Sequence, residues 1–155
     1  MNEPGLPESS PPAPIRLRPM TAGDVADSAP LLAQLGYPMT LDELAQRVRE
    51  VLATPHHLLL IAETGGRLAG LVHVYVRPAI ENPREAVVQA LVVDERWRRA
   101  GVGRRLMMAA ERWGKDQDCR SVVLSSNTAR LPAHAFYTAL GYRLAATSCI
   151  FRKPL

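Results

Sequence analysis

The run from Val87 to Leu106 constrains this chain more than any other: Val-Val-Gln-Ala-Leu-Val-Val-Asp-Glu-Arg-Trp-Arg-Arg-Ala-Gly-Val-Gly-Arg-Arg-Leu. A β-branched apolar stretch ends in a charged turn. A basic Gly-X-Gly loop follows, and an amphipathic pattern then begins. Strand, glycine loop and helix start in that succession bring backbone N–H groups together where a phosphate can sit. The loop has no Gly-Lys-Ser/Thr ending, so it is not a P-loop. It also lacks the three-glycine spacing of a dinucleotide fingerprint. A pyrophosphate cradle of another kind remains.

The flanking chain reads as one α/β domain over residues 15–155. Residues 1–14 hold five prolines, two serines and two glutamates and little that can pack, so they are expected to be a disordered tail. Ile15 to Arg18 alternates like a strand. Thr21 with Asp24, and Thr40 with Glu43, carry capping signatures for two helices, the first stopped by Gly36-Tyr37-Pro38. Leu58–Glu63 and Arg67–Val76 flank Gly65-Gly66, the dipeptide of a tight hairpin. Ala86–Val93 is nearly all apolar and therefore central. A helix from Val102 to about Gln117, a strand at Ser121–Ser125 and a helix ending at Gly141 come next. Tyr142–Ala146 and Ser148–Arg152 read as two closing strands. The order is β-α-α-β-β-β-α-β-α-β-β.

The formal charge of +4 is mild, and the arginines gather between Arg96 and Arg105, beside the loop. This suits an anionic ligand. Aromatics are few and none alternate with the basic cluster, which argues against a nucleic-acid partner. No apolar run reaches the roughly 18 residues of a membrane span, and the N-terminus has no signal-peptide core. A cytoplasmic protein with no membrane partner is expected. Cys119 and Cys149 have no CxxC spacing, and His56, His57 and His134 no metal-ligand spacing, so no metal is expected.

Arg98-Arg99-Ala100-Gly101-Val102-Gly103, placed after a Leu-Val-Val strand end and before Phe136-Tyr137-Thr138-Ala139-Leu140-Gly141-Tyr142, resembles the GNAT superfamily of acetyl-CoA-dependent N-acetyltransferases. The hexapeptide matches the family's Gln/Arg-X-X-Gly-X-Gly/Ala motif. The resemblance covers residues 15–155. It implies a mostly antiparallel, splayed sheet of six to seven strands with helices on both faces. Its cofactor is acetyl-CoA.

On that resemblance, Arg98, Arg99, Ala100, Gly101, Val102, Gly103 and Arg104 hold the diphosphate. The glycines let the backbone approach without a Cβ in the way, and Arg98, Arg99, Arg104 or Arg105 neutralise a phosphate. Leu91, Val92 and Val93 form the strand edge that pairs with the pantetheine arm, helped by a bulge. An N–H near Leu91 polarises the thioester carbonyl. Phe136 belongs to the cofactor-contacting helix motif. Asn127 is either a cofactor contact or a turn residue.

Tyr137 is the candidate general acid. A thiol titrates near 8.5 and a phenol near 10, so the phenol keeps a proton to give the leaving thiolate. The base is open. Many family members place a Glu near the position of Gln89, and Gln cannot serve. Glu85, His73 and Tyr75 are the alternatives, each with a plain strand role as its competitor. Tyr37 either shapes the acceptor pocket or packs at a helix end, and Gln89 and Tyr75 are further acceptor-side residues.

The activity implied is acetyl transfer to a primary amine of a small molecule, peptide or protein, by direct attack in a ternary complex. Competing readings are a longer-chain acyltransferase and a catalytically silent acyl-CoA-binding or regulatory domain. A nucleic-acid module is a more distant one. Family members are often dimers, which allows a homodimer here.

Overall fold

A computed structural model describes residues 13–155. The expected N-terminal tail therefore lies outside the described residues up to residue 12. The elements are β1 (Arg16–Pro19), α1 (Val25–Leu35), α2 (Leu41–Ala53), β2 (His57–Thr64), β3 (Arg67–Arg77), β4 (Glu85–Val93), α3 (Val102–Asp116), β5 (Ser121–Leu124) and α4 (Leu131–Ala139). Two compact units divide after Leu124. The first holds the sheet with α1, α2 and α3; the second holds α4 and the C-terminal segment.

Local chemistry sets the boundaries in the first unit. The Asp24 carboxylate accepts from the Thr21 N–H at 2.7 Å and from its hydroxyl at 2.9 Å, opening the short turn that leads into α1. The Thr40 hydroxyl accepts from the Glu43 N–H at 3.2 Å while the Glu43 carboxylate accepts from the Thr40 N–H at 2.9 Å, a reciprocal box that starts α2. Gly65 and Gly66 take φ values of +56° and +73°, the left-handed pair that a two-residue hairpin demands.

The sheet order is β1-β2-β3-β4-β5, antiparallel up to β4 and parallel between β4 and β5. One face packs Leu59, Ile61, Leu71 and Val92 against Leu31, Leu44 and Val48 of α1 and α2. The other carries α3, whose Val102, Leu106, Met107 and Ala110 are buried.

Two glycines bring α3 close to the sheet. A Cβ on Gly70 would stand 2.7 Å from the Val92 carbonyl oxygen and 3.1 Å from Val102. A Cβ on Gly114 would meet Ala86 at 3.0 Å. The start of α3 thus rests on a position where only hydrogen fits, and its end on one that is tight for a methyl group. Gly70→Ala is expected to destabilise by about 1–3 kcal/mol, the usual cost of overpacking. Melting should fall by about 2–4 °C per kcal/mol. An unchanged melting temperature would show that the close approach is not needed.

β4 is irregular where it matters. Ala90 lies opposite His73 and Val88 opposite Val74, so Gln89 is an extra residue on β4. This is the bulge that the resemblance implied. β4 pairs with β5 only over Glu85–Val88. From Gln89 to Val93 it runs on without β5 beside it. The two strands therefore part at the bulge.

In the second unit, Pro132 sits in the first turn of α4 and Gly141, with φ of +92°, closes it. The Tyr142 N–H donates to the Tyr137 carbonyl at 3.0 Å across that turn.

The strand count differs from expectation. Five strands form among the described residues, and Tyr142–Ala146 and Ser148–Arg152 form none. Alternating apolar character makes a strand only where a neighbour supplies the ladder. Among the described residues no strand pairs with either stretch, and Leu144, Ile150 and Phe151 stand 84–94% exposed.

Candidate functional site

The loop between β4 and α3 is shaped by Asp94. Its buried carboxylate accepts from the Arg96 N–H at 2.9 Å and from the Arg96 guanidinium at 2.7 and 3.0 Å. That guanidinium holds the carboxyl well below its usual range, down to about 2, against the opposing effect of burial. The Asp94 N–H donates to the Ala69 carbonyl at 2.9 Å, and the Glu95 N–H to Gln34 of α1 at 3.0 Å. The loop is thereby anchored to β3 and α1 before the glycines begin.

A depressed carboxyl contributes stability that is complete above its unfolded value of 3.8 and disappears as pH falls through the folded value. The melting difference between wild type and Asp94→Asn is therefore expected to be constant from about pH 5 to 8 and to shrink between about pH 4 and 2. A difference that persists undiminished at pH 2 would remove the ion pair as its source.

Beyond Arg96 the chain turns twice through the left-handed region, at Arg99 (φ +63°) and Gly101 (φ +83°). α3 then starts at Val102, and its first internal bond is the Arg105 N–H to the Gly101 carbonyl at 3.1 Å. The N–H groups of Val102, Gly103 and Arg104 precede that bond and have no partner within the helix. They share the positive end of the helix dipole. Arg98, Arg99 and Arg104 are exposed and form no ion pair among the described residues. Arg105 differs: its guanidinium donates to the Ile15 carbonyl at 2.5 Å and turns toward β1. Arg96 is likewise committed to Asp94. Three of the clustered arginines thus remain free for an anion.

The same end of the sheet offers an open strand edge. Backbone direction alternates along a strand. Since the Asp94 N–H points to β3, those of Val93 and Leu91 point the other way, to the side that β5 has left. An extended, hydrogen-bonding chain can lie along that edge with its anionic end in the loop. A diphosphate joined to an amide-bearing arm has that form, and coenzyme A is such a molecule. The donors and the edge fit it.

Of the expected acceptor-side residues, Gln89 lies at the bulge and Tyr75 on the neighbouring stretch of β3. Gln89 is exposed on the bulge. Tyr37 follows the Gly36 cap of α1 and is 63% exposed, so it does not pack the helix end. Tyr75 stacks on His57, ring centroids 5.2 Å apart and 16° between planes. His57 Nδ1 lies 2.9 Å from His73 Nε2. Burial, with His57 as a smaller influence, pushes the His73 imidazole down to about 4.

Glu85 is not placed as a base. One carboxylate oxygen accepts from Arg77 at 2.6 Å and the other from the Ser121 hydroxyl at 3.1 Å. It stands at the far end of β4 from the open edge. Long-range pairing with β3 and β5 supplies these partners, which the local sequence does not reveal.

In the second unit, Tyr137 packs edge-on to Phe136 at 5.3 Å and to Tyr142 at 6.1 Å. Burial pushes its phenol above the ordinary value, with Arg130 opposing. Asn127 shapes a turn: its side-chain oxygen accepts from the Ala129 N–H at 2.8 Å, and its backbone carbonyl accepts from His134 at 2.9 Å. Both bonds are compatible with a cofactor contact through the same residue.

Residues 29–142 match the family described as Acetyltransferase (GNAT). The chain belongs to the GNAT family. It is an acetyl-CoA-dependent N-acetyltransferase by that membership. It is similar to an aminoglycoside N(6′)-acetyltransferase type 1 of Stenotrophomonas maltophilia, 27% identical over 90% of this chain and 93% of the relative. An enzyme of the same name from Serratia marcescens is 29% identical over 70% of this chain and 77% of its own. Among solved structures, an aminoglycoside N-acetyltransferase in complex with CoA superposes with a TM-score of 0.84 at 20% identity, covering 97% of this chain and 99% of that one. That likeness is one of fold. Among the described residues no helix is long and apolar enough to cross a membrane. Gly70 and Gly114 were not singled out by sequence, because their role depends on where α3 lands.

Proposed function

We propose that this enzyme moves the acetyl group of acetyl-CoA to a primary amine of a small molecule by direct attack in a ternary complex, with amino sugars of the aminoglycoside type as the acceptors to test first. The observation carrying this reading is the β4 edge from Gln89 to Val93, free of β5, running into the N–H groups of Val102–Arg104 that have no partner within α3. The relatives named for aminoglycoside acetylation, one of them spanning nine-tenths of this chain, support the acceptor class.

The thioester supplies an activated acyl carbon. Gly101–Arg104, with Arg98 and Arg99, hold the diphosphate. The N–H groups of Leu91 and Val93 would align the arm, and that of Leu91 would donate to the thioester oxygen as charge develops there. Tyr137 would supply the proton that the departing sulfur needs. Direct attack is favoured because neither cysteine has the setting of a nucleophile. Cys119 sits past the end of α3 with its thiol 3.9 Å from the Gln117 carbonyl, and Cys149 lies in the exposed C-terminal segment.

Gln89 on the bulge supports a second reading, an acyl-CoA-binding domain without turnover. The deciding experiment incubates the protein with acetyl-CoA and a panel of kanamycin, neamine, simple alkylamines and lysine peptides. It follows CoA release and the mass of the product. Release matched by one N-acetylated amino sugar supports the proposal. Tight CoA binding with no release from any amine supports the silent domain.

A further inference from the structure

We propose that the hydrogen-bonded pair His73–His57 is the proton acceptor for the substrate amine, standing in for the carboxylate that Gln89 cannot be. This rests on the acetyl-transfer reading above and assigns a part of the reaction that reading leaves empty.

The placement follows from register. His73 lies directly opposite Ala90, next to the bulged Gln89 where β4 and β5 part. With the diphosphate held at the α3 end of β4, the reactive end of an arm lying along Gln89–Val93 comes to the bulge. The acceptor must then approach from the Glu85 half of the sheet. On β3 that half begins at His73 and continues to Tyr75; on β2 it is the start of the strand, at His57.

Facing follows from alternation along the strands. Leu59, opposite His73, and Leu71, two residues before it, both belong to the core beneath α1 and α2. His73 therefore shares that face, as do His57 and Tyr75, which lie opposite each other. No residue of the helix-packed cluster lies in the His57–Tyr75 row. The pair thus stands where the helical cover ends, and all three residues are half-buried.

The chemistry suits the place. Among the described residues, Leu59 from β2 and Ala90 from β4, both apolar, face His73, and the titratable groups beside it are His57 and Tyr75, the latter with ring centroids 6.3 Å apart. Tyr75 stacks on His57 and fixes that ring. His73 stays neutral through the physiological range, so a nitrogen lone pair is always present. Only one proton can lie between His73 Nε2 and His57 Nδ1. With that proton on His73 Nε2, His73 Nδ1 is an acceptor and His57 Nε2 carries a hydrogen.

The step balances. The ammonium N–H bond breaks and an N–H bond forms at His73 Nδ1. The shared proton passes from His73 Nε2 to His57 Nδ1, and His57 Nε2 releases one to solvent. The freed amine lone pair then attacks the acetyl carbon. The pair need not hold the proton, only pass it.

The test measures kcat between about pH 6.5 and 10, where an alkylammonium becomes neutral by itself, for wild type, His73→Gln and His57→Phe with kanamycin as acceptor. His57→Phe keeps a ring against Tyr75 and removes the nitrogen. Both variants are expected to lose about 10²-fold or more at the low end. The deficit should close to within several-fold at the high end, with CoA affinity measured by calorimetry unchanged. The double variant is expected to be no worse than either single one, as for groups acting as one unit. A deficit that is the same at every pH, or absent, overturns the proposal while leaving acetyl transfer standing. A wild type that releases no CoA with any amine overturns both.

Discussion

Tyr137→Phe is expected to lower kcat by about 10²–10⁴-fold, the range for losing a positioned acid, while CoA affinity stays within about twofold. The substitution removes one oxygen and leaves the ring against Phe136 and Tyr142. Packing is therefore nearly conserved, and a large effect on turnover must come from the proton. Burial pushes the Tyr137 phenol above its ordinary value, so it is protonated across the neutral range. The sign for pH follows. A raised phenol remains an acid until pH climbs above its own value, so wild-type kcat should fall only at strongly alkaline pH. The variant should lack that descending limb. Turnover within about twofold of wild type at every pH would remove Tyr137 from the acid role, since positioned acids contribute far more. The opposite pH trends separate this residue from the histidine pair, whose loss is most severe at low pH.

Gly101→Val is expected to weaken coenzyme A binding by about 5–150-fold. Gly101 has φ of +83°, and a β-branched residue there is a genuine outlier. Holding it costs about 1–3 kcal/mol, and about 1.4 kcal/mol is a factor of ten in affinity. No atom lies within 4 Å of a Cβ at this position, so the penalty is backbone strain and not a clash. The loop relieves that strain by turning its N–H groups out of line. Gly65→Ala is the control, since Gly65 also has positive φ, +56°, but lies in the β2–β3 hairpin. It should lower the melting temperature without moving the CoA dissociation constant. Equal effects of both on CoA affinity would mean that the loop has no special part in binding.

Much of this could be read from the chain because the signals are local. Thr40 with Glu43, Gly65-Gly66 and Gly141 each carry their mechanism within four residues, and the structure uses each as read. The loop at Arg98–Gly103 is equally local: glycine, positive charge and helix start lie in one hexapeptide. A bulge in β4 followed from the family resemblance, and the structure puts it at Gln89.

What stayed illegible depends on distant parts of the chain. Glu85 has the composition of a free base candidate until Arg77 and Ser121 arrive from β3 and β5. Arg105 looks equivalent to Arg104, and only the proximity of β1 separates their uses. Gly70 reads as a plain strand residue until Val102 and Leu106 are laid over it. The closing strands failed for the converse reason. Their alternation is sound, but a strand is a relation between two segments, and no ladder partner is formed among the described residues. The His73–His57 bond is likewise invisible in sequence, since its atoms meet only across the β2–β3 register.

The account is tested most directly by following backbone amide NMR signals as coenzyme A is added to the full chain. The largest saturable shifts should fall on Leu91 and Val93, and on Gly101 through Arg104, with smaller ones at the bulge. Saturable shifts centred instead on the far side of α3 and on β1 and β2, with Leu91–Val93 and Gly101–Arg104 unmoved, would contradict it.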